Sequence, residues 1–353
     1  MRLYQQGGEK NRGRSKTGTG SAKGSGFHYH TEIHLFPGEP EDITISSDIE
    51  EVFSLFFQDF DYKILDVNVD KDKQSAQANL RLVTLDAHAL AEDFSKAQLK
   101  HEISQSASSE EATEQTISLE ERYTLLNELL KSNDYQTVER NCTISLDASN
   151  KDGETSWEIR RTNTLENDLV GGLMNDLTDP DILSPEDTIL VYLNTLKNMS
   201  AEELGNYLNA DSIISTEDPA KISLAEALVK QVHSTFDYSI GETTVSGYTA
   251  TVTANITTFD SDAILENYQK ELDSYLASVD AVIDGAQKRY EKSYSLLLEY
   301  IEENTATKTV ETTFTLINDG ASWKLEDAGT VFGQALFGTL SSSPVEDKQE
   351  TNG

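Results

Sequence analysis

Phe60-Asp61-Tyr62 recurs as Phe236-Asp237-Tyr238, 176 residues later. Four more matches follow in the same order. Ala78-Asn79-Leu80 answers to Ala254-Asn255-Ile256 at 176, and Thr84-Leu85-Asp86 to Thr258-Phe259-Asp260 at 174. Thr137-Val138-Glu139 answers to Thr309-Val310-Glu311 at 172, and Ser156-Trp157 to Ser322-Trp323 at 166. One such match is chance. Five in one order, with an offset that drifts only by loop lengths, mark a tandem duplication joined near Pro180 to Pro185. The expected organisation is a basic tail over residues 1–40, a first α+β repeat over 41–180 that lacks its opening helices, a second over 181–340, and a polar tail over 341–353.

The second copy is the easier to read. Ser184-Pro185-Glu186-Asp187 starts a helix, with a serine cap, a proline where no amide donor is needed, and carboxylates in the first turn. Ile189, Leu190, Leu193 and Leu196 give it one apolar stripe. Ser200 with Glu203 and Ser223 with Glu226 are capping boxes for two more helices. Residues 238–258 change to period two around Ser246-Gly247, a β-hairpin signal. Asp260 or Asp262 caps a long helical excursion with apolar residues from Ile264 through Tyr268, Leu272, Tyr275, Leu276 and Val279 to Ile283, and a second stripe at Tyr290, Tyr294, Leu297, Leu298 and Ile301; Asp284-Gly285 breaks it. Residues 309–317 and 322–326 are strands joined around Asn318-Asp319-Gly320, and 331–340 closes the unit.

The first copy repeats this order from about Ile43. A helix is expected over 48–57, a hairpin over 62–84, helices over 87–103 and 119–131 separated by a polar loop at 104–116, and strands over 137–146 and 157–161 around a long turn at 147–155. Where the second copy has its proline-started helix, the first has the basic tail. That tail is expected to be either a natural disordered extension or a foreign or truncated start.

Composition narrows the functions. The chain has 353 residues, 62 acidic and 28 basic, for a net charge of −34. Residues 1–40 carry six basic and three acidic side chains, so the remainder carries −37. Such a body repels nucleic acid and anionic lipid. No apolar run approaches the roughly 20 residues of a membrane helix. One cysteine, Cys142, excludes an internal disulfide and a multi-cysteine zinc site. The basic start lacks the apolar stretch of a signal peptide.

Local motifs add little chemistry. His28, His30 and His34, with Glu32, could attract a metal but sit in the tail. Asp66-Val-Asn68-Val-Asp70-Lys-Asp72 imitates a calcium loop, yet Lys71 stands where glycine is required and Gln77 where glutamate belongs. Glycines 18–26 lack phosphate-loop spacing. His88, His101 and His233 are scattered, and Cys142 reads as a buried strand thiol. Tyr268, Tyr275, Tyr290, Tyr294 and Tyr300 either line a helix–sheet boundary or offer a recognition surface.

The order of elements, the Ser-Trp strand and the serine/proline-started helix resemble the cystatin-like or nuclear-transport-factor-two-like superfamily, in which a curved antiparallel sheet wraps around a helix. They are similar, more narrowly, to the tandem domains of uncharacterised lipoproteins exported by Gram-positive bacteria, over residues 43–340. The resemblance implies an extracytoplasmic protein. Those lipoproteins carry a leader and a lipid-accepting cysteine; neither is found here, so membrane contact is expected only through an anchor absent from this chain. Some members of the superfamily are isomerases or dehydratases with an acid–base pair inside the cone, for which Tyr238, Tyr248 and Asp260 are the nearest candidates. The expected function is a non-enzymatic binding or structural module whose partner is a protein, a polymer or a small ligand. The cone-fold enzyme is the alternative. No catalytic, cofactor-binding or metal-ligating residue is assigned, and no cofactor.

Overall fold

The computed structural model describes residues 35–37, 47–72, 74–108, 117–151, 154–208 and 219–342. The histidines at 28, 30 and 34, the glycine-rich run and residues 343–353 lie outside them. The chain forms two compact units, Met1–Gln98 with Thr116–Ile182, and Leu99–Gln115 with Leu183–Gly353.

The first unit runs α1 (Ser47–Phe56), β1 (Asp61–Asp70), β2 (Ser75–Leu85), α2 (Ala87–Ser108, which from Leu99 on belongs to the second unit), α3 (Leu119–Ser132), β3 (Thr137–Lys151), β4 (Glu154–Ile159), α4 (Asn163–Leu169) and α5 (Leu173–Asp176). The second runs α6 (Pro185–Asn198), α7 (Ala201–Tyr207), α8 (Pro219–Thr235), β5 (Asp237–Ser246), β6 (Thr249–Phe259), α9 (Ser261–Leu276), α10 (Val279–Ile283), α11 (Ala286–Glu303), β7 (Thr307–Asn318), β8 (Trp323–Leu325), α12 (Ala328–Phe337) and a closing 3₁₀ turn. The protein is thus α+β, with two four-stranded sheets ordered β1-β2-β3-β4 and β5-β6-β7-β8 and every neighbouring pair antiparallel.

The two ladders share one register. Asp61 pairs with Val83 as Asp237 pairs with Thr257, and Ile64 with Leu80 as Ile240 with Ala254. Immediately after these isoleucines each edge strand carries a one-residue bulge, so that Val67 faces Ala78 and Thr243 faces Val252. In the fourth strands Trp157 opposes Ala148 and Trp323 opposes Asn318, positions separated by the same offsets as their partners. Three of the five sequence matches coincide with this equivalence. The other two are displaced by two residues: Leu80 is the true counterpart of Ala254, and Thr137 of Thr307. A slip of two keeps every side chain on its face, which is why similar triplets arise there.

The matched Thr-x-Asp ends have a structural cause. Asp86 and Asp260 each receive amide bonds from the first turn of the following helix, from Ala89 at 3.3 Å and from Asp262 and Ala263 at 3.1 and 3.2 Å. Their own N–H groups donate to Gln136 and Ala306, tying strand two to the start of strand three. Ser118 with Glu121 and Ser200 with Glu203 form complete capping boxes.

Several boundaries differ from expectation. The loop expected from 104 begins as helix, because α2 continues to Ser108 with Ile103 and Ala107 buried in the second unit's core; residues 109–116 lie outside the description. The long turn expected at 147–155 is mostly ladder, since pairing runs on to Lys151 opposite Glu154. The excursion breaks twice, and Ser278 caps the short α10 before Asp284. Its outer apolar residues Leu276, Val279, Val282 and Ile283 are exposed rather than part of a buried stripe. Helices α4 and α5 are additional, α4 being capped by Thr162 through Leu165 N–H at 3.1 Å.

Candidate functional site

In the second unit α6 covers the sheet. It packs on β5, β6 and β8, and buries Ile189, Leu193 and Leu196 in the core that holds Val252, Ile256 and Trp323. Its start is fixed by Ser184, whose Oγ accepts from Asp187 N–H at 3.0 Å and donates to the Asp187 carboxylate at 2.5 Å. Two inward threonines remain satisfied locally, Thr188 donating to Ser184 C=O and Thr195 to Val191 C=O. At the last turn the Lys197 ammonium lies 2.6 Å from the Asp237 carboxylate and 5.7 Å from the centre of the Tyr238 ring. The lysine's hydrogen bond holds the Asp237 carboxyl below the usual carboxylate range and raises the lysine in turn.

The matching face of the first unit has no such cover among the described residues. Among the described residues its helix before β1 is α1, which packs on α3 as α8 packs on α11. α4 closes the middle, where Leu165 joins Leu80, Leu82 and Cys142 in a small core. The flanks stay open: Tyr62 is 40% exposed, Ile64 55%, Val67 54% and Trp157 41%, against 6% for Trp323. Tyr62, Ile64 and Val67 oppose Leu82, Leu80 and Ala78, so all three lie on the side of β1 that corresponds to the covered side of β5. Asp61 and Tyr62 occupy the places of Asp237 and Tyr238, with the same local bond from the tyrosine N–H to the aspartate Oδ1. Among the described residues no ion pair reaches Asp61. On the opposite face of the sheet, toward the hairpin end, a polar groove lies beside Asn68, Asp70, Gln77 and Arg160. There the Arg160 fork is engaged by Asp147, at 3.0 Å through Nε and 2.5 Å through Nη2. The open flank thus presents apolar side chains and, at Asp61–Tyr62, a carboxylate beside an aromatic ring, which is able to receive a cation.

The acid–base candidates are not brought together. Tyr248 lies in the β5–β6 turn and Asp260 caps α9, at opposite ends of β6, roughly 40 Å apart for a strand of that length. Tyr238 lies under Lys197, its phenol raised chiefly by burial. The excursion's tyrosines are used internally: Tyr268 bonds Ser293 at 2.7 Å, Tyr275 donates to Asp284 at 2.9 Å, and the rings of Tyr290 and Tyr294 lie 4.6 Å apart. The Asp66–Asp72 segment is β1 and its turn, where Asp66 accepts from Asn68 and Asn79 side chains. Cys142 is buried, and burial followed by the Asp168 charge pushes its thiol up to about 11, so it stays protonated and donates toward that carboxylate. His88 lies 3.6 Å from Asp176, His101 lies beside Gln105, and His233 sits in the last turn of α8. Among the described residues no group of three or more His, Cys, Asp or Glu is placed to hold a metal, and no helix is long and apolar enough to cross a membrane.

Neither a family model nor a curated protein matches the chain. Among solved structures it is similar to ycdA of Bacillus subtilis, described as a lipoprotein, at 11% identity and a TM-score of 0.30, over 78% of this chain and 96% of that one.

The open flank itself was missed from sequence. Its signal was present, in the apolar alternation of β1 beside a first copy without a covering helix.

Proposed function

We infer that the protein is a non-enzymatic binding module, built from two cystatin-like copies of one α+β unit, that holds a partner polypeptide on the open flank of its first sheet. The observation that carries this is the exposure of Tyr62, Ile64, Val67 and Trp157 on a face whose register equivalent in the second unit is covered. Isolated exposed apolar residues are ordinary, whereas three in a row along β1, on the face that also carries Trp157 at the opposite edge, favour association over solvation. Placement outside the cytoplasm is supported only by the resemblance in element order to exported lipoproteins, and belongs to the same proposal.

The test is site-specific crosslinking in the cell that makes the protein. A photoreactive benzoylphenylalanine replaces Ile64 in the full chain, with and without Trp157→Lys. A discrete protein adduct that disappears in the Trp157→Lys background supports the function. No adduct, or one indifferent to Trp157→Lys, refutes it.

A further inference from the structure

The duplication itself specifies what fits the open flank. The ladders match pair by pair and include the same bulge, so the surface that α6 contacts on β5 and β8 has a counterpart on β1 and β4 at known residues. Tyr238, Ile240 and Trp323 pack against or within the second unit's core, whereas Tyr62, Ile64 and Trp157 remain accessible. The charged contact is duplicated on one side only. Lys197 bonds Asp237 and lies over Tyr238; Asp61 and Tyr62 repeat that receptor, and no cation occupies it among the described residues.

We propose that the first sheet's open flank receives one amphipathic helix of a partner protein, crossing from Trp157 to Tyr62, with apolar residues at i, i+4 and i+7 and a lysine or arginine at i+8. That spacing is the one by which Ile189, Leu193, Leu196 and Lys197 occupy the equivalent surface. On an α-helix it places three apolar groups along one stripe and the cation at its margin. The mode is that of an amphipathic helix on an apolar surface, with a charge fixing its direction. The proposal rests on the binding function above and narrows it to one ligand class. A second copy of this chain fits less well, because its own α6 has these side chains buried. The partner's cation is also drawn by the net charge of −34.

The experiment uses the full chain carrying Trp323→Phe, so that Trp157 is the sole tryptophan. The probe is a capped peptide with the sequence of residues 184–199, used both unmodified and with a lactam staple on its solvent face so that helix formation does not limit binding. Binding with a blue shift of Trp157 emission is expected. A scrambled peptide should give neither, and Ile64→Lys in the protein should abolish both. Replacing the peptide's lysine by glutamate should weaken binding roughly fivefold, the upper range for an exposed pair, and Asp61→Lys should restore it.

Absence of binding by the stapled peptide overturns the helix. So does binding that survives Ile64→Lys, which would place the peptide elsewhere. Concentration-dependent dimerisation that Trp157→Lys abolishes, measured by sedimentation, would make a second copy the occupant and likewise overturn it. If the crosslink at position 64 forms while the stapled peptide neither binds nor competes with it, the helix fails and the binding function stands. If the crosslink is also missing, both fail.

Discussion

Trp157 and Trp323 occupy the same place in two ladders and should contribute unequally to stability. The perturbation is alanine at each in turn. Their exposures are 41% and 6%, a difference of about a third of the side chain. A tryptophan presents up to about 250 Å², so the difference is roughly 85 Å², or roughly 2 kcal/mol at ~25 cal/mol per Å². Differences of this kind are more dependable than absolute areas, since the unfolded reference largely cancels. A cavity cost adds to the buried site alone, because water fills the space vacated at the open one. Trp323→Ala should therefore cost about 4 kcal/mol and Trp157→Ala about 2 kcal/mol or less. A single melting curve mixes two units, so the assay is native-state hydrogen exchange resolved by peptide. Loss of protection in β5–β8 on Trp323→Ala should exceed the loss in β1–β4 on Trp157→Ala by roughly thirtyfold in rate. Equal losses, or a larger one for Trp157→Ala, would refute the claim that the first flank is open and the second closed by α6.

Ser184→Ala removes the α6 cap and should destabilise the second unit by about 1 kcal/mol, read as a lower urea midpoint for the β5–β8 peptides with the first unit unchanged. Gly171 has φ +68°, and a Cβ there would lie 2.9 Å from Thr84 Oγ1 and 3.2 Å from the Leu85 carbonyl. Gly171→Ala should cost more than the ~1–2 kcal/mol of left-handed backbone alone, whereas Gly247→Ala, with φ +62° and open space around it, should cost only that. The Cys142 thiol ordinarily titrates near 9 and is raised to about 11 in the fold. The folded state thus favours the protonated thiol. This contribution is whole below pH 9 and is lost as pH rises from 9 to 11, up to about 2–3 kcal/mol at 1.36 kcal/mol per unit. Denaturation midpoints of Cys142→Ala should lack that part of the alkaline fall, and the native thiol should resist a disulfide reagent until the first unit unfolds.

The sheets were legible in the sequence because their signals are local and periodic. Asp86 and Asp260 could be matched because a helix cap needs that residue at one point, and the tryptophans because few side chains are so distinctive. Matches along β2 and β3 slipped by two residues, since alternating apolar strands look alike at every even shift. The end of α2 was lost because Ser104 and Ser106 lower helix propensity, while Ile103 and Ala107 are held by tertiary burial that no local pattern records. Exposure of Val279, Val282 and Ile283 was illegible for a similar reason. Their spacing is that of a buried stripe, and only the short, separately capped α10 shows that nothing stands opposite. The one-sided cover of the sheets was half visible. The second copy's proline-started helix had no counterpart in the first, but the consequence for Tyr62, Ile64 and Trp157 required the register.

That register also bears on whether the open flank is used or merely tolerated. A strand facing water on one side ordinarily places polar residues there. β1 has Lys63, Asp66 and Asn68 on one face and Tyr62, Ile64, Val67 and Val69 on the other. This division survives only because the bulge after Ile64 shifts the phase by one residue. Without it Val67 and Val69 would point with the charged set, and the exposed apolar row would be broken at its middle. A long apolar edge strand is also a standing aggregation hazard, which proteins usually blunt with lysine or proline. Here the bulge keeps four apolar residues aligned on a flank where the described chain places no helix. Such an alignment joins neither of the first unit's cores among the described residues, and the proposed docking helix would use it. Deleting Leu65, the extra residue of the bulge, leaves the pairing of Ile64 with Leu80 and of Val67 with Ala78 in phase, so the peptide should still bind, whereas Val67→Lys, which charges the middle of the row, should cost the peptide its binding site while β2–β4 keep their hydrogen-exchange protection.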